Sequence, residues 1–290
     1  MMKKYLLLTP FLWITVLVLG QEDVERNKST LIDYVQFNTY NNPASVGMQD
    51  RNVTVFGSTS IGFPINQLGI SSGAYLNKNK TIASGVYFST ANVWETLTFR
   101  TIGMAFKYRW KYFHFGAGLE QNAVNQPYFF WSSGTYKNVT YTSWIISPEV
   151  IYANSNNRVS LKVKNVGKDN FRYANNEYTN PREFQFRASH TFDLYDKLSY
   201  TPILNYDRQE NFYGVRESFK LDNLLCFSFK NQQKIYYFNV SYASFDVYTL
   251  GGGISFNNRI KLGGKYEFVK SKLQLSSFDV LSIKVQYSFK

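Results

Sequence analysis

His114, His190 and Cys226 are the residues of this chain best suited to proton transfer, metal ligation or nucleophilic attack, and the chain has no other histidine or cysteine. His114 shares one face of an alternating segment with Glu120, but the extended chain between them measures roughly 20 Å, which puts direct pairing out of reach and leaves only a cross-strand partner open. His190 falls on the apolar face of its own segment, near a turn at Tyr195, where an imidazole suits an interface. Cys226 has no second cysteine to bond with and no neighbouring ligands, and it reads as a strand residue. The chain holds no G-x-S-x-G elbow, no H-E-x-x-H and no phosphate-binding glycine loop. The run Gly251-Gly252-Gly253 lies inside an alternating segment and reads as a bend or a close backbone approach. The expectation is a protein with no catalytic residues, no cofactor and no metal. A hydrolase or acyltransferase would need a constellation that these residues do not form.

The elements around them alternate with period two, which is the signature of strands with one apolar and one polar face. Phe113, Phe115, Ala117 and Leu119 oppose His114, Gly116, Gly118 and Glu120. Ile102, Met104, Phe106 and Tyr108 oppose Thr101, Gly103, Ala105 and Lys107. The last segment sets Leu281, Ile283, Val285, Tyr287 and Phe289 against Ser282, Lys284, Gln286 and Ser288, with Lys290 closing the chain. A soluble sandwich would alternate too. Against it, aromatics make up 18% of the chain while mean hydropathy is only -0.30, as expected for a membrane barrel with aromatic girdles and a polar interior.

Connection lengths point the same way. Tight turns are expected at Asn77-Lys78-Asn79, Arg109 to Lys111, Asn154 to Asn157, Tyr195 to Lys197, Asn231 to Gln233 and Asn257-Asn258. Longer connections, including Asn122 to Asn138 and Asn165 to Arg182, fall between them. Short turns on one side and long loops on the other are the pattern of outer-membrane barrels. The count is about 14 strands, within two, because Phe212 to Phe229 could hold one strand or two. At the N-terminus, Lys3 and Lys4 precede an apolar run from Tyr5 to Leu19 that is broken by Thr9, Pro10 and Thr15. This predicts a cleaved signal peptide over 1–20 rather than a spanning helix. A periplasmic lead-in over 21–50 and a transmembrane antiparallel β-barrel over 51–290 follow.

The formal net charge of +12 falls to +10 if Lys3 and Lys4 leave with the leader. Nucleic-acid sites gather such charge on one face or element. Here Lys107, Lys162, Lys164, Arg187, Lys220, Lys261, Lys265 and Lys284 are spread one or two to a strand, all on the inward face. That excludes nucleic acid as the expected partner. It leaves either solvation of the lumen or an interior that favours an acidic partner. The cluster Tyr128-Phe129-Phe130-Trp131 is either a girdle at the membrane interface or a docking surface.

Gln36-Phe37-Asn38 and Asn42-Pro43-Ala44-Ser45-Val46-Gly47 lie just ahead of the first strand. Phe219-Lys220-Leu221-Asp222, the Gly251 to Phe256 segment, Ile260 to Tyr266 and the closing Tyr287-Ser288-Phe289 follow in order. This succession resembles the PorP/SprF family of the Bacteroidetes type IX secretion system. The resemblance implies a non-enzymatic outer-membrane component of the secretion and gliding machinery, embedded in outer-membrane lipid. It further implies a partner among the type IX components or a secreted surface adhesin, with Asn42, Pro43, Ala44 and Gly47 as the lead-in that meets it. The alternative is a passive outer-membrane channel or transporter for a small solute, an anionic one being what the basic interior suggests.

Overall fold

The computed structural model describes residues 51–61, 65–93, 97–130, 135–167, 170–173, 176–179, 182–195, 197–211, 214–229, 234–244, 247–256, 259–269 and 278–289. The expected leader, the lead-in and the Asn42 to Gly47 motif lie outside these residues. All the regular structure described is strand, in the order β1 (Arg51–Ile61), β2 (Ile65–Tyr75), β3 (Ile82–Val93), β4 (Leu97–Trp110), β5 (Phe113–Phe130), β6 (Thr135–Ala153), β7 (Asn157–Lys164), β8 (Asn170–Tyr173), β9 (Asn176–Thr179), β10 (Arg182–His190), β11 (Phe192–Tyr195), β12 (Leu198–Asn211), β13 (Gly214–Phe229), β14 (Lys234–Ala243), β15 (Val247–Phe256), β16 (Ile260–Val269) and β17 (Phe278–Phe289).

Consecutive strands pair antiparallel, and β1 then pairs with β17 from Arg51↔Phe289 to Ile61↔Asp279. On the far side β12 pairs with both β10 and β11, which are two pieces of one wall strand interrupted at Thr191. The β8–β9 hairpin stands outside the wall, within the connection from β7 to β10. The result is a closed antiparallel barrel of 14 strands. The stretch after Phe212 that could have been two strands is the single strand β13.

Asparagine builds the turns at one end. Asn77 Oδ1 accepts from the backbone N–H groups of Thr81 and Ile82 at 2.9 and 3.0 Å. Asn154 Oδ1 does the same for Asn156 and Asn157 at 3.1 and 2.7 Å. Short polar side chains that mimic a backbone acceptor favour such tight reversals. Between β4 and β5 only Lys111 and Tyr112 remain outside the strands, and Lys111 takes the positive φ of 52° that a two-residue hairpin demands. The turns expected at Asn77 to Asn79, Arg109 to Lys111 and Asn154 to Asn157 fall at this end, together with the start of β1 and the end of β17, whereas Asn231 to Gln233 and Asn257-Asn258 lie outside the described residues.

Proline explains where the ladder breaks, because it has no N–H to donate. Pro148 lies one residue past the last β6–β7 rung, Glu149↔Lys162. Pro202 pairs with Asn223 of β13 and faces the interruption between β10 and β11 on its other side. Pro127 lies beyond the last β4–β5 rung, Thr98↔Asn125.

One expectation needs correction. Asn122 to Asn138 was expected to be a long loop, yet β5 and β6 stay paired from Phe113↔Tyr152 to Phe130↔Thr135. This hairpin outruns both neighbours. The sequence pattern hid this pairing, because Gln121, Asn122, Asn125 and Gln126 give the stretch no apolar stripe. The other long connection, Asn165 to Arg182, contains the β8–β9 hairpin, and Arg182 already belongs to β10.

Three interior aromatic rings lie over glycines directly opposite them in register: Phe56 over Gly69, Tyr87 over Gly103 and Tyr237 over Gly253. In each case a Cβ on the glycine would collide with the ring, and at Gly253 with the carbonyl oxygen of Leu262 as well. The ring shields backbone that glycine leaves bare and fixes the register. Gly253 thus makes the close backbone approach expected of the Gly251 to Gly253 run. Gly57 has no such neighbour, its nearest atom being an ordinary 3.5 Å contact. Gly253→Ala is therefore expected to destabilise the barrel by about 1–3 kcal/mol, and Gly57→Ala to be neutral or slightly stabilising. Urea unfolding in lipid vesicles would check this, and equal effects at the two glycines would refute the register argument.

Candidate functional site

The lipid face follows from the outward residues. Ile102, Met104, Phe106 on β4 and Leu281, Ile283, Val285 on β17 are all exposed in the isolated chain, Ile283 at 58%. Aromatics bound this band on both sides. At the tight-turn end Trp110 stacks with Phe113, Phe192 with Tyr200, and Lys111 Nζ lies 5.8 Å from the Trp110 ring centre. At the other end Tyr206 meets Phe219, Tyr242 meets Tyr248, and Tyr266 meets Phe268. Phe219 and Phe227 mark the two levels on β13, roughly 20 Å apart in depth for a tilted strand. Tyrosine and tryptophan favour these interfaces because one end of the ring is apolar and the other is wet. His190 fits there too: its Nδ1 lies 2.6 Å from Asn157 Oδ1 and its ring meets the edge of Phe192.

Inside, every basic residue expected to face the lumen does so. Lys107, Lys162, Lys261 and Lys284 are buried at 2, 3, 5 and 1% exposure. His114 is buried on the same inner face, and Glu120 is engaged by Lys164 at 3.7 Å.

The carboxylates divide the lumen into two halves. The half built by β5, β6, β7, β10, β12 and β13 carries Glu120, Glu149, Glu183, Asp207 and Asp222 among its inward residues, interleaved with bases. A continuous chain of contacts crosses it. Arg187 Nε donates to Asn205 Oδ1 at 2.6 Å, Asn205 Nδ2 donates to Asp222 Oδ2 at 2.8 Å, and Lys220 Nζ lies 3.1 Å from Asp222 Oδ1. Glu149, Ser160, Lys162, Gln185, Arg187 and Asp207 help line a pocket of about 10 Å³, at the lower limit for one water. This half is packed wall.

The other half, built by β14 to β17 and β1 to β4, is basic. Its only inward carboxylate among the described residues is Glu267, which pairs with Lys265 at 2.9 Å. Lys107, Lys261 and Lys284 also face inward here; Lys107 Nζ sits 4.7 Å from the Tyr75 ring centre and 3.5 Å from its hydroxyl. Between the halves lies an apolar inward patch of Ile203, Leu224, Cys226 and Tyr237. Cys226 is accordingly a buried strand residue. No group of three potential metal ligands occurs among the described residues.

Most of the sequence-derived partner residues fall outside the described part of the chain. Asn42, Pro43, Ala44, Gly47 and Trp131 lie outside the described residues. Tyr128, Phe129 and Phe130 end β5, opposite Lys137, Tyr136 and Thr135. What sequence reasoning missed is the segregation of the carboxylates. Inward parity of Glu149, Asp207 and Asp222 was readable, but their grouping depends on strand register.

A sealed wall, a lipid-facing apolar band between two girdles and a charged interior define the class of outer-membrane β-barrels. No family model and no curated protein matches the chain. Among solved structures it is similar to the CymD monoaromatic hydrocarbon channel, at 13% identity over 87% of this chain and 92% of that one, with a TM-score of 0.53. It is also similar to the toluene transporter TodX of P. putida, at 11% identity over 87% and 94%, TM-score 0.52. A FadL homologue of Pseudomonas aeruginosa gives 11%, 87%, 94% and 0.50. The chain spans 60% of the length of CdiB from Acinetobacter baumannii, at 12% identity and a TM-score of 0.49.

Lys220→Met removes the ammonium 3.1 Å from Asp222, which is 2% exposed, and leaves it the hydrogen bond from Asn205. The expected loss is about 1–3 kcal/mol, and Lys220→Met combined with Asp222→Asn should recover part of it. A double-mutant cycle by urea unfolding would show this, whereas strict additivity would deny the pair any coupling.

Proposed function

We propose that this chain is a non-enzymatic outer-membrane barrel that passes a small anionic solute. The observation that carries the reading is the basic half of the lumen, where Lys107, Lys261, Lys265 and Lys284 point inward and Glu267 is the one inward carboxylate among the described residues. A one-signed lining raises the local concentration of the opposite charge. CymD is a monoaromatic hydrocarbon channel and TodX a toluene transporter, which supports passage as the kind of task such a wall performs. The charged interior of this chain points to a cargo other than an aromatic hydrocarbon. Purified full-length protein in planar bilayers under a potassium chloride gradient should give a reversal potential on the chloride side. Lys107→Gln with Lys261→Gln and Lys284→Gln should move it toward zero. A silent bilayer, or a cation preference, would refute the reading.

A second reading is a component of the type IX secretion and gliding machinery. The Asn42 to Gly47 motif ahead of β1 supports it, as does the β5–β6 hairpin that outruns its neighbours at the end opposite the tight turns. It places outer-membrane lipid around the wall and a secreted adhesin or a periplasmic ring subunit at one end. Loss of particular surface proteins from a deletion strain, with solute uptake unchanged, would favour this reading over the first.

A further inference from the structure

Asn239, Ser241 and Thr249 face the lumen from β14 and β15, because the alternate residues Phe238, Val240, Tyr242, Tyr248 and Leu250 are the exposed ones on the lipid side. The three are 5, 2 and 1% exposed. Asn239 Oδ1, Ser241 Oγ and Thr249 Oγ1 are shielded from solvent and have no hydrogen-bond partner among the described residues. Buried polar atoms are as a rule hydrogen-bonded, so a group of them left open points to a ligand that supplies the bonds. Single atoms of this kind occur elsewhere in the wall, as at Ser60 on β1 and Ser147 on β6. Here three stand together.

Strand register assembles them. Ser241 lies directly opposite Thr249, and Asn239 lies opposite Gly251, which adds no side chain. Cross-strand neighbours are about 4.5–5.5 Å apart and residues two apart on one strand about 7 Å, so the polar groups mark three corners of a patch that a short polyol would cover. Ion pairs flank the patch on both sides. Asp222, across from Ser241, has Lys220 at 3.1 Å, and Glu267, across from Thr249, has Lys265 at 2.9 Å. Toward the tight-turn end the Tyr237 ring lies over Gly253 and its hydroxyl donates to the Leu262 carbonyl at 3.1 Å, while Leu224 stands across from Asn239.

This composition sets a chemical demand. The two hydroxyls donate or accept and the amide oxygen accepts, so the complementary molecule carries both donors and acceptors, as hydroxyl groups do. Each flanking pair joins opposite charges, so the patch itself selects for hydroxyls more than for sign. The ring and the leucine at its border offer apolar surface to the C–H groups between them.

We propose that Asn239, Ser241 and Thr249 form a hydroxyl-recognition site in the lumen wall, and that the anion this barrel passes is a polyhydroxylated one, of the class of sugar acids. The charge of the solute rests on the anion-passage reading above, and its hydroxyls rest on this cluster.

Saturation-transfer NMR on the full-length protein in detergent reads binding without any current, with gluconate as the probe and acetate as the comparison that lacks hydroxyls. Gluconate should receive saturation and acetate should not. S241A/T249V should raise the gluconate dissociation constant about tenfold. Urea unfolding should find that variant no less stable than its parent, because it removes two unpartnered groups and no structural bond. Ser147→Ala, which deletes a hydroxyl just as buried and unpartnered on β6, should leave the constant unchanged. The proposal is overturned by absence of transfer to gluconate, by equal transfer to acetate, or by equal weakening in Ser147→Ala. Unchanged affinity in S241A/T249V overturns it as well, and is the result expected if the patch holds ordered water alone. A barrel that binds gluconate as described yet is silent in bilayers keeps the site and loses the passage reading, so the two failures are distinguishable.

Discussion

In hydrocarbon no water is present to satisfy a backbone N–H or C=O, and a sheet can cross only if it has no free edge at membrane depth. The β1–β17 ladder meets this condition. It runs unbroken from Arg51↔Phe289 to Ile61↔Asp279 and joins the first wall strand to the last, so the barrel exists only when the whole chain has paired. The departures from full pairing are confined and chemically marked. Pro148 and Pro202 each sit where one ladder stops, and Thr191, at the β10–β11 interruption, is tied back by its N–H to the Asn156 carbonyl at 2.8 Å and by its hydroxyl to Thr201 at 3.0 Å.

Closure dictates side-chain placement. Once the wall is sealed, odd and even positions of a strand face different solvents, and a charge on the lipid side costs about 2–4 kcal/mol at mid-depth. Lys107 lies between Phe106 and Tyr108, and Lys284 between Ile283 and Val285. In each triplet the lysine is buried inward and its neighbours are exposed outward. The same rule makes the barrel's polarity the reverse of a soluble domain's: its largest fully buried side chains include Lys107, Lys284 and Gln286.

This explains which features could be read before the fold was known. Alternation from Ile102 to Trp110 and from Leu281 to Phe289 is imposed residue by residue by lipid, so the strands, their faces and the inward lysines were legible. The tight turns were legible because Asn77 and Asn154 reveal their own geometry. The β5–β6 extension was not, since Gln121, Asn122, Asn125 and Gln126 show no apolar stripe, and Asn122 to Asn138 looked like loop. Pairwise facts were also hidden: Tyr237 meets Gly253, and Asn205 meets Asp222, only after two strands have found their register.

Charge in such a lumen is a matter of arrangement more than of total. On the half that holds Asp222, Asn205 and Arg187, hydrogen bonds and an ion pair within the wall tie β10, β12 and β13 together. Groups satisfied in this way have little left to offer a visitor. The half that holds Lys107, Lys261 and Lys284 has serine, threonine and glutamine among its inward residues, the Tyr75 ring beside Lys107, and Glu267 paired with Lys265. A wall that needed only solubility would gain nothing from keeping its carboxylates apart from these lysines, because interleaved opposite charges lower the field and like charges in a confined space raise it. The segregation leaves the ties between strands in one half and a basic lining in the other.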